Sequence, residues 1–244
     1  FREWIGGLIE QKLGSPNATF TDFKLAGRPD IYLVGANLST GFGEIFSTEH
    51  TPTMRVLDAV RISMSLPLFF AAIRNTRGDV FVDGGLLDNY PIKMFDRAKY
   101  VDNDKAKVST PYYKEENAKF LTGKYKSRSP YVYNAETLGF RLDSKREIAA
   151  FRYGNVEVAR KIDDFFDYTK ALLMTALNAQ EAMHLHSDDW QRTIYIDTLG
   201  VGTTDFDLTT KTKNALVKSG REHTLAYFDW FEKAPKANAP ANRV

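Results

Sequence analysis

The residue best suited to catalysis in this sequence is Asp83, which ends an apolar segment and is followed at once by Gly84 and Gly85. A carboxylate at the carboxyl end of a strand lies where open α/β sheets place their ligands. Glycine has no Cβ atom, so a substrate or another backbone segment can approach it closely. A carboxylate held in such a turn can accept a proton from a hydroxyl nucleophile or orient a second base. We therefore predict that Asp83 is catalytic and that Gly84 and Gly85 contact the substrate.

An alternative interpretation is that Asp83 only shapes a turn. The tripeptide Asp-Gly-Gly is by itself typical of an Asx turn, in which the side chain binds its own backbone. Asn89 and Pro91 follow in a second turn that would hold the loop rigid, and Asp88 between the two turns is interpreted as a turn residue.

A serine nucleophile within the chain is weakly indicated. No serine has glycine both two positions before and two positions after it, so the G-x-S-x-G turn of α/β-hydrolases is absent. Ser39 comes nearest, because Gly41 follows it. With Asp83 and His223, Ser39 would complete a Ser-His-Asp triad in the chain order of that fold. Ser63 and Ser65 precede Pro67 at the end of a predicted helix and are interpreted as small packing residues.

A second alternative is a metal-dependent hydrolase. His184 and His186 stand in an H-x-H-x-D-D run, which resembles the H-x-H-x-D-H run of dinuclear zinc hydrolases but ends in Asp189. Only His50 and His223 remain elsewhere, too few for the usual two-metal ligand set. The competing interpretation places these polar residues at the carboxyl end of a helix, where histidine is favoured by the dipole. We expect no metal and no organic cofactor.

Composition excludes other classes of protein. The chain has 244 residues, 43% hydrophobic and 26% charged, as is ordinary for a globular protein. It has no cysteine, which excludes disulfides and thiolate metal sites. The net charge of +2 is too small to indicate nucleic acid as a partner. No apolar run approaches the roughly 20 residues that span a bilayer.

Hydrophobic periodicity predicts alternating helices and strands, and thus the α/β class. Residues 100–133 have no such period and carry many tyrosines, with eight Lys or Arg between 99 and 128 against four acids. We interpret that stretch as a long loop, which is either solvated or able to dock a protein or a membrane surface. The predicted helices are 1–13, one starting near Met54 and stopped by Pro67, 163–186 and 209–231; the predicted strands are 30–37, 78–83, 137–142 and 192–197.

The residues around Asp83 resemble the patatin-like phospholipase family, in particular its bacterial members. The family has an "A-S-x-S-x-P" stretch, then a D-G-G or D-G-A aspartate, then an asparagine and a proline. Here the matching positions are Ser63, Ser65 and Pro67, then Asp83-Gly84-Gly85, then Asn89 and Pro91. Weaker similarities are found at residues 33–41, 137–143 and 196–205.

The resemblance implies a patatin-like three-layer α/β fold with a mostly parallel central sheet. Residues 1–232 would form the C-terminal portion of the catalytic domain and 233–244 a disordered tail. It also implies hydrolysis of phospholipid acyl esters, of the phospholipase A type, by a Ser-Asp dyad in which Asp83 is the base. The family's serine elbow and oxyanion loop precede this region, so we expect a preceding segment, on the same or another chain, to carry the nucleophile.

On this interpretation residues 1–244 alone are catalytically inactive, and the non-enzymatic alternative is a membrane- or protein-binding module. The family includes secreted bacterial effectors that act at membranes, some of which need an activating protein partner. The resemblance therefore implies a membrane phospholipid as the principal partner and no nucleic acid.

Overall fold

The computed structural model describes residues 1–143, 162–165, 167–169, 171–172, 175, 187–203 and 205–233. Contacts divide the chain into two compact units. The first comprises Phe1–Tyr90 with Ile162–His184, and the second comprises Pro91–Lys161 with Leu185–Val244. Most of the predicted helix 163–186 lies outside the described residues, as does the proposed tail apart from Lys233. The predicted domain boundary stays a prediction.

The first unit is built on a four-stranded sheet with the strand order β2-β1-β4-β3. Its helices are α1 (Arg2–Leu13), α2 (Phe20–Leu25) and α3 (Val56–Ser63). A capping box between Thr19 and Asp22 begins α2, and Gly14 ends α1 in the left-handed conformation with φ 75°. The strands are β1 (Leu33–Asn37), β2 (Phe42–Phe46), β3 (Ile73–Arg74) and β4 (Val80–Asp83).

All three strand pairs of this sheet are antiparallel. The α/β class is confirmed, but the expectation of a mostly parallel sheet is wrong for these strands. The reason lies in the connections: β1 joins β2, and β3 joins β4, through short turns in which Gly41 and Gly78 take positive φ. A short turn can join only antiparallel strands, because a parallel pair needs a crossover of a dozen residues or more.

The core of the first unit lies between the helices and the sheet. One face of α3 packs on α1 and β1, with Val56, Leu57, Ala59 and Ile62 buried. In α1 only the Ile5–Ile9 side faces inward, whereas Trp4 is 65% exposed. The buried core residues are Ile9, Ala18, Phe20, Phe46, Val56, Leu57, Ala59, Ile62 and Phe81.

The described residues of the second unit form two small sheets and two α-helices. β5 (Lys107–Val108) pairs antiparallel with β6 (Tyr133–Asn134), and β7 (Gly139–Asp143) pairs parallel with β8 (Thr193–Asp197). Its helices are α4 (Pro111–Phe120) and α5 (Thr210–Lys233). Among the described residues, no helix combines the length and the apolar character needed to cross a bilayer.

A buried ionic cluster around Arg192 organises the second unit. The guanidinium makes two parallel hydrogen bonds of 2.6 Å to Asp96 and a third of 2.6 Å to Asp189. Asp96 also accepts hydrogen bonds from the hydroxyl of Tyr113 and the amide of Asn134. Burial acts to lower the pKa of Arg192, but the hydrogen bonds and charges of Asp96 and Asp189 outweigh it and raise that pKa.

The cluster explains why residues 100–133 are folded and not a long loop. Tyr113 lies on α4 and Asn134 on β6, so the interior of the stretch and the residue that follows it are both tied to Asp96. Sequence periodicity missed this order because the stretch is held by polar side chains and aromatic contacts instead of by an apolar stripe.

We expect Arg192→Leu to lower the free energy of unfolding by about 3–5 kcal/mol, because it leaves buried Asp96 without its cation and Asp189 with only the Lys93 ammonium at 3.6 Å. Urea denaturation followed by circular dichroism measures this. The control is Lys119→Leu, whose ion pairs with Glu115 and Glu116 are exposed and should contribute at most about 1 kcal/mol. Equal losses in the two variants would contradict a dominant role for the buried cluster.

Candidate active site

Asp83 is the last residue of β4 and lies where that strand leaves the sheet. It pairs with Gly35 of β1, and its amide donates to the carbonyl of Ser65 at 2.9 Å. The chain then enters a single 3-10 turn, Gly84–Leu86, closed by bonds from the amides of Leu87 and Asp88 to the carbonyl of Gly84. The carboxylate is thus held by a strand on one side and a turn on the other.

The carboxylate of Asp83 has one oxygen anchored and one available. Oδ1 accepts a hydrogen bond of 2.8 Å from the amide of Gly85. This is the Asx turn that the alternative interpretation of Asp83 predicted. Oδ2 accepts none from any residue that the structure describes. Burial raises the pKa of Asp83, and the Gly85 hydrogen bond opposes this only in part. The turn therefore orients the carboxylate while leaving a proton acceptor of increased basicity.

Gly84 is required for space because it faces backbone, whereas the space at Gly85 is limited by a side chain. A Cβ atom on Gly84 would lie 2.6 Å from both the carbonyl carbon and the carbonyl oxygen of Val34 in β1. On Gly85 it would lie 2.8 Å from Oδ1 of Asn89. Neither glycine has positive φ, so a close approach, and not backbone conformation, excludes a side chain here. Because protein groups fill these positions, substrate contact at the two glycines stays a prediction.

Ser65 connects α3 to the Asp83 turn. It is fully buried, and its hydroxyl donates to the carbonyl of Arg61 at 2.6 Å while accepting from the Arg61 guanidinium at 2.7 Å. A buried hydroxyl used as both donor and acceptor is a structural tie. The half-buried Ser63 closes α3 and makes no side-chain hydrogen bond within the described residues.

The proposed triad of Ser39, Asp83 and His223 is not assembled. The Ser39 hydroxyl accepts from the amide of Val80, the first residue of β4, whereas Asp83 is the last. Three strand residues separate these ends by roughly 10 Å. Nδ1 of His223 lies 2.8 Å from the carbonyl of Ser219, one turn back on its own helix.

A serine–histidine pair that the sequence did not suggest joins Ser47 and His50. The Ser47 hydroxyl lies 2.8 Å from Nδ1 of His50 and accepts from the His50 amide at 3.2 Å. Because Ser47 is 0% exposed, a substrate cannot reach its hydroxyl, and the pair serves the turn after β2. No signal in the sequence separates such a turn from a catalytic pair.

The predicted metal ligands His184 and His186 lie outside the described residues. Within the described ranges, no group of three or more His, Asp or Glu side chains is placed to hold a metal ion.

An exposed apolar segment follows Ser65, the residue whose carbonyl accepts a hydrogen bond from the Asp83 amide. Residues 68–72 read Leu-Phe-Phe-Ala-Ala, and all five are exposed, with Leu68 at 60% and Phe69 at 45%. The Arg61 guanidinium donates one hydrogen bond to the Ser65 hydroxyl, before the segment, and one of 3.5 Å to the carbonyl of Ala71 within it. Leu68 takes positive φ, 71°, which is unfavourable for a residue with a Cβ atom. The turn thus presents apolar side chains to solvent a few residues after Ser65, whose carbonyl binds the Asp83 amide.

We expect Gly84→Ala to destabilise the chain by about 1–3 kcal/mol, because the new methyl group meets the Val34 backbone, which cannot give way as a side chain could. Gly7→Ala in α1 is the matched control: nothing lies within 4 Å of its added Cβ, and alanine should stabilise the helix by about 0.5–1 kcal/mol. Denaturant unfolding of the two variants measures both changes. A stabilising Gly84→Ala would show that the approach is looser than described.

We expect the stability of Asp83→Asn relative to the parent to rise with pH. Since the folded-state pKa of Asp83 is raised, folding favours its protonated form, and this contribution is lost as pH rises through the folded pKa. The difference should be constant below the ordinary value of 3.8, should shift in favour of Asn between 3.8 and the raised pKa, and should be constant again above that pKa. Urea unfolding from acidic to neutral pH measures this, and an opposite trend would contradict a desolvated carboxylate.

Comparison with known proteins identifies the part of the chain that holds this turn. Residues 2–96 match the family model described as patatin-like phospholipase. An uncharacterized protein R571 of Acanthamoeba polyphaga mimivirus is 36% identical over 92 residues, 38% of this chain and 29% of the viral protein. A cGAMP-activated phospholipase of Pseudomonas aeruginosa is 39% identical over 67 residues, 25% of this chain and 20% of that enzyme.

The chain thus spans less than a third of the length of these two relatives. Among solved structures, VipD from Legionella pneumophila superposes with a TM-score of 0.45 at 17% identity, over 86% of this chain and 35% of VipD. The family match includes all of α3, the 68–72 segment and the Asp83-Gly84-Gly85 turn. Over residues 2–96, this chain is therefore similar to the patatin-like phospholipase family.

Proposed function

We propose that this chain is part of a lipid acyl hydrolase in which Asp83 is the general base of a Ser-Asp dyad, and that the serine lies outside residues 1–244. The observation that carries the proposal is the state of the Asp83 carboxylate. One oxygen is fixed by Gly85, the other is available, and burial raises the pKa. A base works best when it is rigidly placed and its pKa is shifted toward the working pH.

In the proposed reaction, Oδ2 of Asp83 accepts the proton of the serine hydroxyl as the serine oxygen attacks the acyl carbonyl carbon. A bond forms between serine and the acyl group, the ester bond breaks, and the leaving alcohol takes the proton from Asp83. Water then attacks the acyl-serine and gives up a proton to Asp83. The bond between the serine oxygen and the acyl carbon breaks, the serine oxygen takes that proton from Asp83, and the fatty acid is released. No histidine is required, which agrees with the absence of one bonded to Asp83 among the described residues.

Lipid as the substrate class is supported by two findings. The family model and the P. aeruginosa relative both name phospholipases. The exposed apolar side chains of Leu68 and Phe69 begin three residues after Ser65, which binds the Asp83 amide. An exposed apolar run beside a polar reactive group suits a substrate with an acyl chain next to an ester. We infer acyl-ester cleavage of the phospholipase A type, on membrane phospholipid, with an activating protein as a further candidate partner.

We infer the position of the nucleophilic serine from the sequence and from where the structure places the serines near Asp83. No G-x-S-x-G is present in the 244 residues. Ser65 is fully buried and used in hydrogen bonds, and Ser39 is at the opposite end of β4. The nucleophile is therefore expected on another segment of the full-length protein or on a second chain.

The test is phospholipid hydrolysis by the full-length protein and by Asp83→Asn. Asparagine keeps the shape and can still accept the Gly85 hydrogen bond, but it cannot take a proton. We expect activity to fall by about 100-fold or more, as is typical for loss of a general base. The matched control is Asp88→Asn, which changes the charge equally in the same loop and should retain activity. Parent-level activity in Asp83→Asn would overturn the assignment.

A fluorophosphonate probe, which reacts with activated serines, locates the nucleophile independently. Peptide mapping of the labelled full-length protein should place the label outside residues 1–244, and Asp83→Asn should slow the labelling. A label on a serine within these residues would contradict the position of the nucleophile while leaving lipid hydrolysis intact.

A further inference from the structure

A basic and aromatic surface is built around residues 121–130 of the second unit. Residues 122–128 are all exposed and include Lys124, Tyr125, Lys126 and Arg128. The ring of Tyr125 brings two of the cations together: Nζ of Lys124 lies 5.1 Å from its centroid and Cζ of Arg128 lies 4.2 Å from it. We call Lys124, Tyr125, Lys126 and Arg128 the basic-aromatic patch.

Residues 97–99 pair with the far end of the segment that carries the patch. The amide of Lys99 donates to the Ser129 hydroxyl at 2.9 Å, and the amide of Ala98 donates to the Pro130 carbonyl at 3.0 Å. Nε of Arg97 donates to the Ser129 carbonyl at 2.8 Å. The segment is therefore fixed to the fold at its base, and its cations project from a defined position.

Aromatic stacking supports the base of the patch. Cζ of Arg97 lies 4.6 Å from the ring centroid of Phe120 and 4.5 Å from that of Tyr131. Tyr131 is in turn held by Asn117, which donates to its carbonyl at 2.7 Å and accepts from its amide at 2.7 Å. A segment with no helix-forming stripe thus acquires a fixed shape through cation–π contacts and amide hydrogen bonds.

The charges of the patch are not compensated. Lys107 is paired with Asp104, and Lys119 with Glu115 and Glu116. By contrast, Lys124, Lys126 and Arg128 form no ion pair with any described residue. No acidic residue occurs between positions 117 and 135. Among the eight cations of residues 99–128, Lys107 and Lys119 are thus paired, whereas Lys124, Lys126 and Arg128 form a local positive surface.

We propose that the basic-aromatic patch docks on the surface of an anionic phospholipid bilayer. Uncompensated Lys and Arg side chains near such a surface each strengthen binding by roughly fivefold. A tyrosine among them suits the interface, because its ring is apolar and its hydroxyl remains hydrated. A bilayer is favoured over nucleic acid because the chain as a whole carries only +2. Docking needs no catalysis, so it stands independently of the role of Asp83.

The experiment measures binding to vesicles of phosphatidylcholine alone and of phosphatidylcholine with phosphatidylserine, by sedimentation at low and high salt. The full-length protein carries Asp83→Asn throughout, so that hydrolysis does not consume the vesicles. We expect binding to the anionic vesicles that weakens with salt, and little binding to the neutral ones.

The test variant is Lys124→Gln/Lys126→Gln/Arg128→Gln. Its matched control is Lys211→Gln/Lys213→Gln/Arg221→Gln on α5, whose three cations are also exposed and form no ion pair with described residues. Each variant changes the formal net charge of residues 1–244 from +2 to −1, since three cations are removed. We expect the patch variant to bind anionic vesicles at least about tenfold more weakly, and the control to change by no more than about twofold.

Three outcomes would overturn the proposal. Equal losses in the two variants would show that only net charge matters. Binding that is the same for neutral and anionic vesicles would exclude electrostatic docking. Tighter binding to a single-stranded RNA homopolymer than to anionic vesicles, lost in the patch variant, would identify a nucleic-acid surface instead. Circular dichroism and thermal unfolding confirm that both variants are folded, as expected for exposed substitutions.

Discussion

The close approach of Gly84 to the backbone of Val34 is the constraint on which the candidate active site depends. It brings the end of β4 against β1, where Gly35 pairs with Asp83 and is itself crowded by Ile62 and Phe46. The amide of Asp83 then donates to the carbonyl of Ser65, and its side chain accepts a hydrogen bond from the amide of Gly85. A larger residue at position 84 would separate the two strands and release the carboxylate. The glycine is thus a packing requirement whose consequence is chemical.

The second unit relies on a different kind of interaction. Arg192, Asp96 and Asp189 are almost completely buried, and their charges are satisfied by one another and by Tyr113 and Asn134. Breaking one partner leaves the others without compensation in a medium that solvates charge poorly, which makes such a network specific as well as stabilising. It is this network that orders α4 and β6, and through them the segment that carries the basic-aromatic patch.

The surface features of the two units suit one class of partner. The first unit exposes apolar side chains at residues 68–72, and it holds the Asp83 carboxylate, whose pKa is raised. The second exposes uncompensated cations around Tyr125. A phospholipid bilayer offers acyl chains, esters and anionic headgroups together, and each surface matches one of these. Catalysis and docking are nevertheless separate claims, since one depends on proton transfer and the other on charge.

The sequence by itself determined the local features whose physical cause is local. Gly14 ending α1, Pro67 following α3 and the apolar segment ending at Asp83 all act within a few residues, and each was predicted near its observed position. The D-G-G turn and its flanks were sufficient to indicate the patatin-like family that residues 2–96 match.

Tertiary structure decided what depends on contacts distant in sequence. Only pairing between strands showed that the sheet of the first unit is antiparallel, and only Asp96, Tyr113, Asn134 and Arg192 together showed that residues 100–133 are folded. Coordinates were also needed to show that one oxygen of Asp83 is available and that some lysines are paired and others are not. Both findings depend on which groups surround a side chain, and the order of residues does not encode those surroundings.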